Sequence, residues 1–570
     1  MQGDCGAPRR ESLPWESLNN FNDFTTDMTT FTSSHALFQV FSDQGMDRVF
    51  LVPGESYLGL LDALVDFPQI DVVTCRHEGG AGFMAVADGR LTGRPGVAIV
   101  SRGPGASNAA IAVHTAQQDA VPMILLVGQI AARDLRREAF QEIDYQKMYG
   151  SIAKWVFECS TPDQLAEAAF KAVRVATSGV PGPVVLVLPE DVQQQAVERP
   201  AFHNHPQVFG VPDEATLDEI CARLAASERP LVIAGGSFAA PGGREALLAF
   251  ARHWQLPVLL SFRRHDVFPN DDPLYVGDLN LANPAAQMAT FERSDFVLAL
   301  GTRLGDITTQ NYVFPRYAKA NQPFLHCYPD SRVIGWDTVA DYPLVCDPAG
   351  LAKALTNRPA PAPSPARQAW HAELRGHAEA WWKWPQKAAK HGVNFTEVVK
   401  SVMDHAPLDT TICLDAGTFA APVYRHFNFR GNQRLMAPLA GAMGYGTPAA
   451  LSCALRDPSR TTVCMVGDGG FLMTGNEMIL AVERKLPIVF IVANNSSYGS
   501  IRLHQERGYP GRVSGTSLFN PDFHDLAKSY GMQAMRIREK GEIDPVIARA
   551  IAMREPVLIE VNSSLDVILP

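Results

Sequence analysis

A carboxylate and two amides carry the clearest chemical signal in this chain. Gly467-Asp468-Gly469-Gly470 closes an apolar run, and 24 residues separate Gly469 from Asn494-Asn495-Ser496-Ser497-Tyr498-Gly499. Both segments follow β-branched runs, so the acid and the amide fall at the same end of neighbouring strands. Oxygen ligands from few side chains suit Mg²⁺, which completes an octahedral shell with phosphate oxygens and water. The glycines let backbone approach an anion, and a helix expected to begin near Phe471 points its positive end there. Gly-Asp-Gly alone is an ordinary tight turn; the spacing to the paired asparagines makes it specific. No Walker lysine follows either glycine turn, which disfavours a nucleotide site.

Two further segments carry candidate chemistry. In Arg76-His77-Glu78, followed by GGAGFMAVADGR, Glu78 falls at a helix start, where a negative side chain is favoured whatever its role. In Gly441-Ala442-Met443-Gly444-Tyr445-Gly446, Met443 is flanked by glycines and, on local grounds, is equally well a gap-filling core residue.

The elements that must position these residues alternate short β-branched runs with amphipathic stretches, the mark of parallel sheets wrapped by helices. Regular structure is expected from Ser33 onward. Strands are expected at Arg48–Val52, Asp71–Thr74, Gly96–Val100, Met123–Val127 and Pro183–Leu188, and again at Pro230–Ala234, Pro257–Leu260, Phe296–Leu300 and Pro323–Cys327. The segment Asn357–Gln368 reads as an extended proline-rich linker, followed by a helix carrying Trp370, Trp381, Trp382 and Trp384. A third set of strands is expected at Thr411–Leu414, Thr461–Val466, Ile488–Ala493 and Val557–Val561.

An internal echo links the first and third sets. Both GVAIVSRGPGASNAAIAVHTAQQDAVPMILLVG and TTVCMVGDGGFLMTGNEMILAVERKLPIVFIVA run strand, glycine turn, helix, proline, strand. Gly103 and Gly467 lie 364 residues apart, Pro122 and Pro487 365 apart. A shift held to one residue suggests duplicated domains, although any two strand–helix–strand units share this outline. Open α/β sheets bind ligands at the carboxyl ends of their strands, so a ligand is expected between the duplicates. The fold class is therefore α/β, with three doubly wound domains on mainly parallel sheets.

Composition bounds the alternatives. A chain of 570 residues is too long for one core, and 46% hydrophobic against 19% charged residues excludes a disordered or fibrous chain. A net charge of −10 without a basic run argues against an electrostatic nucleic-acid footprint. Nine dispersed cysteines without a CxxC pair read as free thiols in a reducing compartment. The longest apolar stretches, Val121–Val127 and Leu486–Ala493, are too short to cross a bilayer. The N-terminal residues lack the apolar middle of a secretory signal. A cytoplasmic protein is expected, with a flexible polar arm over 1–32 in which Met28 is an alternative start.

The Gly-Asp-Gly to Asn-Asn spacing resembles the diphosphate–Mg²⁺ motif of thiamine diphosphate enzymes. Arg76-His77-Glu78, Val52-Pro53-Gly54-Glu55, Gly103-Pro104-Gly105-Ala106-Ser107-Asn108, Ala139-Phe140-Gln141-Glu142 and Gly441–Gly446 extend the resemblance to the acetolactate synthase and benzaldehyde lyase group, from about Ser33 to Val561. It implies a pyrimidine-binding domain (33–195), a central Rossmann-like domain (213–355), the linker and Trp-bearing helix (356–394) and a diphosphate-binding domain (395–570). It implies that Glu78 hydrogen-bonds the pyrimidine nitrogen N1′, steering the ring to the tautomer that can take the thiazolium C2 proton. Met443 would wedge between the rings, the Gly441 carbonyl would accept from the pyrimidine amino group, and Gly54 would lie on the same side. Gly417, Thr418, Phe419, Gly469, Gly470, Tyr498 and Gly499 would line the diphosphate. Asp468, the Asn495 side chain and the Ser497 carbonyl would hold Mg²⁺. Glu78 and Asp468 would come from different subunits, implying a homodimer or homotetramer.

The resemblance implies 2-oxo acid or aldehyde substrates, with Phe140 and Gln141 at the substrate site. Two departures bear on the acceptor. Where synthases carry a pocket-shaping methionine and tryptophan this chain has Ser500 and His504. The pattern G-A-R-F-D-D-R becomes Gly301–Ile307, so Ile307 replaces an arginine that would grip a carboxylate. His504 reads equally as a substrate contact or a surface histidine. The glycine-rich segment of FAD-binding relatives is missing, with Val276-Gly277-Asp278-Leu279-Asn280 in its place, and Gly235-Gly236-Ser237 is a weak nucleotide signal; FAD is left open but disfavoured. The leading activity is an acetolactate synthase-like carboligase. Its alternatives are a non-oxidative 2-oxo acid decarboxylase or benzaldehyde lyase-like enzyme, and a non-catalytic cofactor-binding regulator.

Overall fold

A computed structural model describes residues 31–202 and 210–569. The arm expected over 1–32 lies outside them except for Phe31 and Thr32, and the Thr32 side chain caps the helix Ser33–Asp43. The first sheet contains β1 (Arg48–Leu51), β2 (Asp71–Thr74), β3 (Gly96–Val100), β4 (Met123–Gln129), β5 (Trp155–Glu158) and β6 (Pro183–Pro189). The second region holds β7 (Pro230–Ala234), β8 (Val258–Leu260), β9 (Tyr275–Asp278), β10 (Phe296–Leu300), β11 (Ala318–Lys319), β12 (Phe324–Tyr328), β13 (Thr338–Val339) and β14 (Tyr342–Val345). The third sheet contains β15 (Thr411–Leu414), β16 (Arg434–Met436), β17 (Thr462–Gly467), β18 (Ile488–Asn494), β19 (Gln533–Ile537) and β20 (Val557–Asn562).

The first sheet runs β2-β1-β3-β4-β6-β5 and the third β16-β15-β17-β18-β20-β19, the same winding strand for strand. The internal echo is thus a repeat of topology. The central sheet runs β14-β12-β10-β7-β8-β9, and every pairing in these sheets is parallel. Alternate residues of a buried strand enter different cores, which is why such strands read as continuous apolar runs. In β17, Val463 and Met465 join one cluster while Cys464 and Val466 join another.

That second cluster belongs to two domains at once. Phe83 and Ala112 of the first domain share it with Tyr445, Phe471 and Met478 of the third, and the Phe83 and Tyr445 rings meet edge to face at 5.6 Å. An Arg456 Nη2–Asp88 Oδ2 bond of 2.7 Å, with Asp47 on the same guanidinium, seals the rim.

The central domain docks largely through polar contacts. Asn270 exchanges hydrogen bonds of 2.8 Å with the Phe429 backbone in both directions, and Arg303 donates to the Gln118 carbonyl.

Two expectations are corrected. The helix after the Asp468 turn begins at Asp468 itself rather than near Phe471, because Gly467 is still extended and the next residue already has helical geometry. The proline-rich segment stays irregular only to Ser364, whose hydroxyl caps the helix Pro365–Trp381, so Pro365–Gln368 belong to that helix, whereas Trp382 only caps its end and Trp384 lies beyond it. Proline is tolerated in a first turn, where its missing N–H has no partner to lose. This helix packs on the central sheet, with Trp370 Nε1 donating to the Pro230 carbonyl at 2.9 Å.

Candidate active site

The Asp468 side chain is held at the carboxyl end of β17, where Gly467 delivers it from the strand into the following turn. Oδ1 accepts from the Gly469 amide at 2.9 Å, and Oδ2 accepts from Asn520 Nδ2 at 2.8 Å and from the amides of Asn495 and Ser497 at 3.3 Å each. Every one of these donors is neutral. Burial accordingly pushes the Asp468 carboxyl above its ordinary value, with the amide bonds partly offsetting the rise. A buried carboxylate without a cation is costly, and a divalent ion would relieve that cost. Asn495 Oδ1 accepts from the Ser497 amide at 3.0 Å, which brings the Asn495 amide oxygen beside the Ser497 backbone. The donor set is oxygen only and compact, which fits Mg²⁺.

The surrounding loops approach too closely for side chains. A Cβ on Gly469 would lie 2.5 Å from the Tyr498 ring, and one on Gly417 2.5 Å from the Phe419 ring. Gly499 is crowded by Asn495 and by Ile568 of the C-terminal segment. The Ser500 hydroxyl accepts from the Thr418 amide at 2.8 Å. That residue therefore stitches the Gly417–Phe419 turn to the Asn495–Gly499 turn rather than only standing where a pocket methionine would. A cavity of about 170 Å³ opens beside Thr418, Phe419 and Asn495.

The Gly441–Gly444 loop is the next part. Gly441 has φ +67°, a left-handed conformation that glycine adopts without penalty, and nothing lies within 4 Å of where its Cβ would be. Met443 is half-buried in the isolated chain. The loop is anchored by Asp415, which sequence reading missed. Its buried carboxyl accepts from the Gly444 amide at 2.9 Å and the Gly446 amide at 3.2 Å, and burial pushes it up to about 7. Thr474 adds a bond to the Gly444 carbonyl at 2.7 Å.

On the first sheet, Glu78 opens the helix Glu78–Thr92, as expected, and His77 caps it. Asn108 Nδ2 donates to Glu78 Oε2 at 2.9 Å, and Oε1 lies 3.3 Å from where a Gly105 Cβ would be. Gly54 packs its backbone on Ser101 and Tyr57. Gln141 holds φ +65° and closes over Gly103, whose Cβ would meet it at 2.9 Å. A left-handed glutamine is a strained conformation of the kind that gathers at binding sites.

Gly54, Glu78 and Gln141 thus gather at the strand ends of the first sheet. Gly417–Phe419, Gly441, Met443, Asp468–Gly470 and Asn495–Gly499 gather at those of the third. The hydrogen bonds of each group given above stay within its own domain. His504, on the helix Gly499–Gly508, is exposed in the single chain.

A duplicated pair of parallel α/β domains thus sets a cluster of oxygen donors at the strand ends of one copy and an acid at those of the other. Residues 31–148, 217–355 and 415–561 match, in turn, the N-terminal TPP binding, central and C-terminal TPP binding domains of thiamine pyrophosphate enzymes. The chain is 29% identical over 547 residues to a protein of Methanocaldococcus jannaschii described as a probable acetolactate synthase large subunit, covering 93% of this chain and 91% of that one. It is 28% identical to the acetolactate synthase large subunit of Lactococcus lactis (93% and 92% covered) and 28% to the isozyme 3 large subunit of Escherichia coli (92% and 93%). The chain belongs to the thiamine pyrophosphate-dependent enzymes of the acetolactate synthase group.

Proposed function

We propose that this enzyme is a thiamine diphosphate- and Mg²⁺-dependent carboligase acting on 2-oxo acids, acetolactate synthase-like in its chemistry. The observation that carries the reading is the oxygen-only donor set of Asp468, Asn495 and Ser497 on one duplicate, paired with Glu78 at the equivalent strand ends of the other. When bound, thiamine diphosphate supplies the nucleophilic carbon and the electron sink. The protein's share is to hold, orient and exchange protons. Asp468, Asn495 Oδ1 and the Ser497 carbonyl hold the metal, with Gly469, Gly470, Gly417, Thr418, Phe419, Tyr498 and Gly499 lining the diphosphate side. Gly441 and Met443 would contact the coenzyme's rings, Gly54 and Glu78 would take the pyrimidine, and Gln141 and His504 would face substrate.

Glu78 is bonded inside its own domain, and Leu472 and Met473, on the helix that Asp468 opens, and Ile501, on the helix that follows Tyr498, are exposed apolar side chains. Both observations support a site completed by a second copy, in a homodimer or homotetramer. The cysteines of the described residues are all free thiols, which supports a cytoplasmic location, and among the described residues no helix is long and apolar enough to cross a membrane.

A second reading, a non-oxidative decarboxylase or benzaldehyde lyase-like enzyme, is favoured by Ile307. Arg303, the one arginine left in that segment, is engaged with the Gln118 carbonyl. Incubation with pyruvate separates the two. Acetolactate is the expected product; accumulation of acetaldehyde instead supports the decarboxylase, and no consumption of pyruvate defeats the pyruvate-based form of both.

FAD is disfavoured by the missing glycine-rich segment and by a side chain already lying on the weak glycine turn. The turn Gly235-Gly236-Ser237 lies beside the switch point between β7 and β10, where a dinucleotide would bind. Arg264, only 5% exposed, packs onto it, its Nε 2.7 Å from where a Gly236 Cβ would be. Its Nη2 donates to the Asp119 carbonyl at 3.2 Å. The purified enzyme is expected to show no flavin absorbance near 450 nm; a stoichiometric flavin band refutes this.

A further inference from the structure

We propose that Glu477 is a positioning residue for Glu78, a clamp from the third domain that fixes the backbone from which the acid is presented. The proposal rests on the reading of Glu78 given above.

Glu477 is fully buried and lies in the short turn Gly475–Met478, immediately after the helix that Asp468 opens. Its carboxyl crosses to the first domain. Oε1 accepts from the Arg76 amide at 3.0 Å and the His77 amide at 2.9 Å, and Oε2 from the Arg76 amide at 3.1 Å. These are the two residues before Glu78. His77 then spends its ring nitrogen on the Gly79 amide at 3.0 Å. The backbone on both sides of Glu78 is therefore tied down by side chains, which leaves the acid little freedom except its own rotamers.

The fit is tight. A Cβ on Gly80 would lie 2.5 Å from Glu477 Oε1, so this helix can carry only glycine there while the clamp is in place. The charged and titratable groups around the carboxyl are the Cys75 thiol, the Arg76 guanidinium and the Glu78 carboxyl. That guanidinium is directed elsewhere, to the Thr74 carbonyl and to Glu483 Oε2. Burial pushes Glu477 up to about 7, Glu78 adds to the rise, and the two amides oppose it. Burying a carboxyl is costly, and an apolar side chain here would strand the Arg76 and His77 amides, so a carboxyl kept in this place needs a reason for holding that backbone. Orientation of a group that must meet a reacting ring is such a reason, because small displacements there cost large factors in rate.

The test uses the full-length enzyme and the variants Glu477→Gln and Glu477→Ala. In the cofactor-free protein, amide hydrogen exchange over residues 74–80 is expected to accelerate at least tenfold in both variants while the rest of the first sheet stays protected. In the loaded enzyme kcat is expected to fall about 10- to 100-fold with KM changed less than threefold, and Gln is expected to recover part of what Ala loses. In a Glu78→Gln background the Glu477 substitutions are expected to add little further loss, since two residues acting through one group are not additive. Wild-type exchange over 74–80, or full additivity with Glu78→Gln, overturns the proposal. Failure of both variants to fold also overturns it, by assigning Glu477 to stability. If Glu78→Gln alone keeps normal turnover, the reading of Glu78 fails instead, and the exchange result still reports on the clamp.

Discussion

Glu78→Gln is expected to bind thiamine diphosphate with near-normal affinity and to lose roughly 10²- to 10⁴-fold in kcat, the usual worth of a positioned acid–base group. The amide is nearly isosteric, and Asn108 can still donate to its oxygen as it does to Glu78 Oε2. What the variant lacks is a proton to exchange with the pyrimidine ring. Steady-state kinetics beside a cofactor titration measure the two quantities separately. Turnover within a few-fold of wild type removes Glu78 from this role, whereas parallel loss of binding and turnover makes it a structural contact.

The second large effect is expected at Asp468. Wild-type enzyme should melt at a higher temperature once Mg²⁺ and thiamine diphosphate are added together, because a ligand at 100 times its Kd stabilises by about 2.7 kcal/mol. In Asp468→Ala that shift should largely vanish, with apparent cofactor affinity at least about a hundredfold weaker, since even residues supporting a metal ligand are worth 10- to 100-fold. Asn520, Asn495 and Ser497 all donate to this one carboxylate, so its removal also loosens the loops that carry the other two oxygens. An undiminished Mg²⁺-dependent shift in the variant would place the metal elsewhere.

The fold was legible in proportion to burial. Every interior strand of the three large sheets was read from the sequence to within a residue or two. Five of the six edge strands, β5, β9, β14, β16 and β19, were not. An edge strand has only one neighbour, so its sequence need not be apolar throughout. β19 (QAMRI) and β14 (YPLV) are mixed in burial, and β16 has three residues. The duplication was legible because both copies place a glycine turn and a proline at matching points of the same strand–helix–strand unit.

The site was legible where spacing carries information and illegible where it does not. Asp468 and Asn495 announce each other through a fixed interval. Asp415 sits directly after β15 as Asp468 follows β17, and the same signal, an acid at a strand end, was available for it. Glu477 and Asn520 have no such signal. The partners of Glu477 are backbone amides about 400 residues away, and those of Asn520 are side chains at the start of one helix and the end of one strand. Ser500 was read as a change in the pocket, and the bond its hydroxyl accepts from the Thr418 amide carried no signal in the sequence.

The interior shared by the first and third domains carries an evolutionary consequence. When Phe83 and Tyr445 belong to one continuous packing, neither half can be traded for a homologue's without its complement. Shuffling among relatives must move the two halves as a matched set, or repair the seam by compensating changes on both sides. The intervening module, joined largely by arginine side chains that donate to its neighbours' carbonyls and, among the described residues, sharing no apolar core with them, is the portion most open to exchange. It is there that a lineage can gain or discard an accessory ligand while leaving the reaction centre intact.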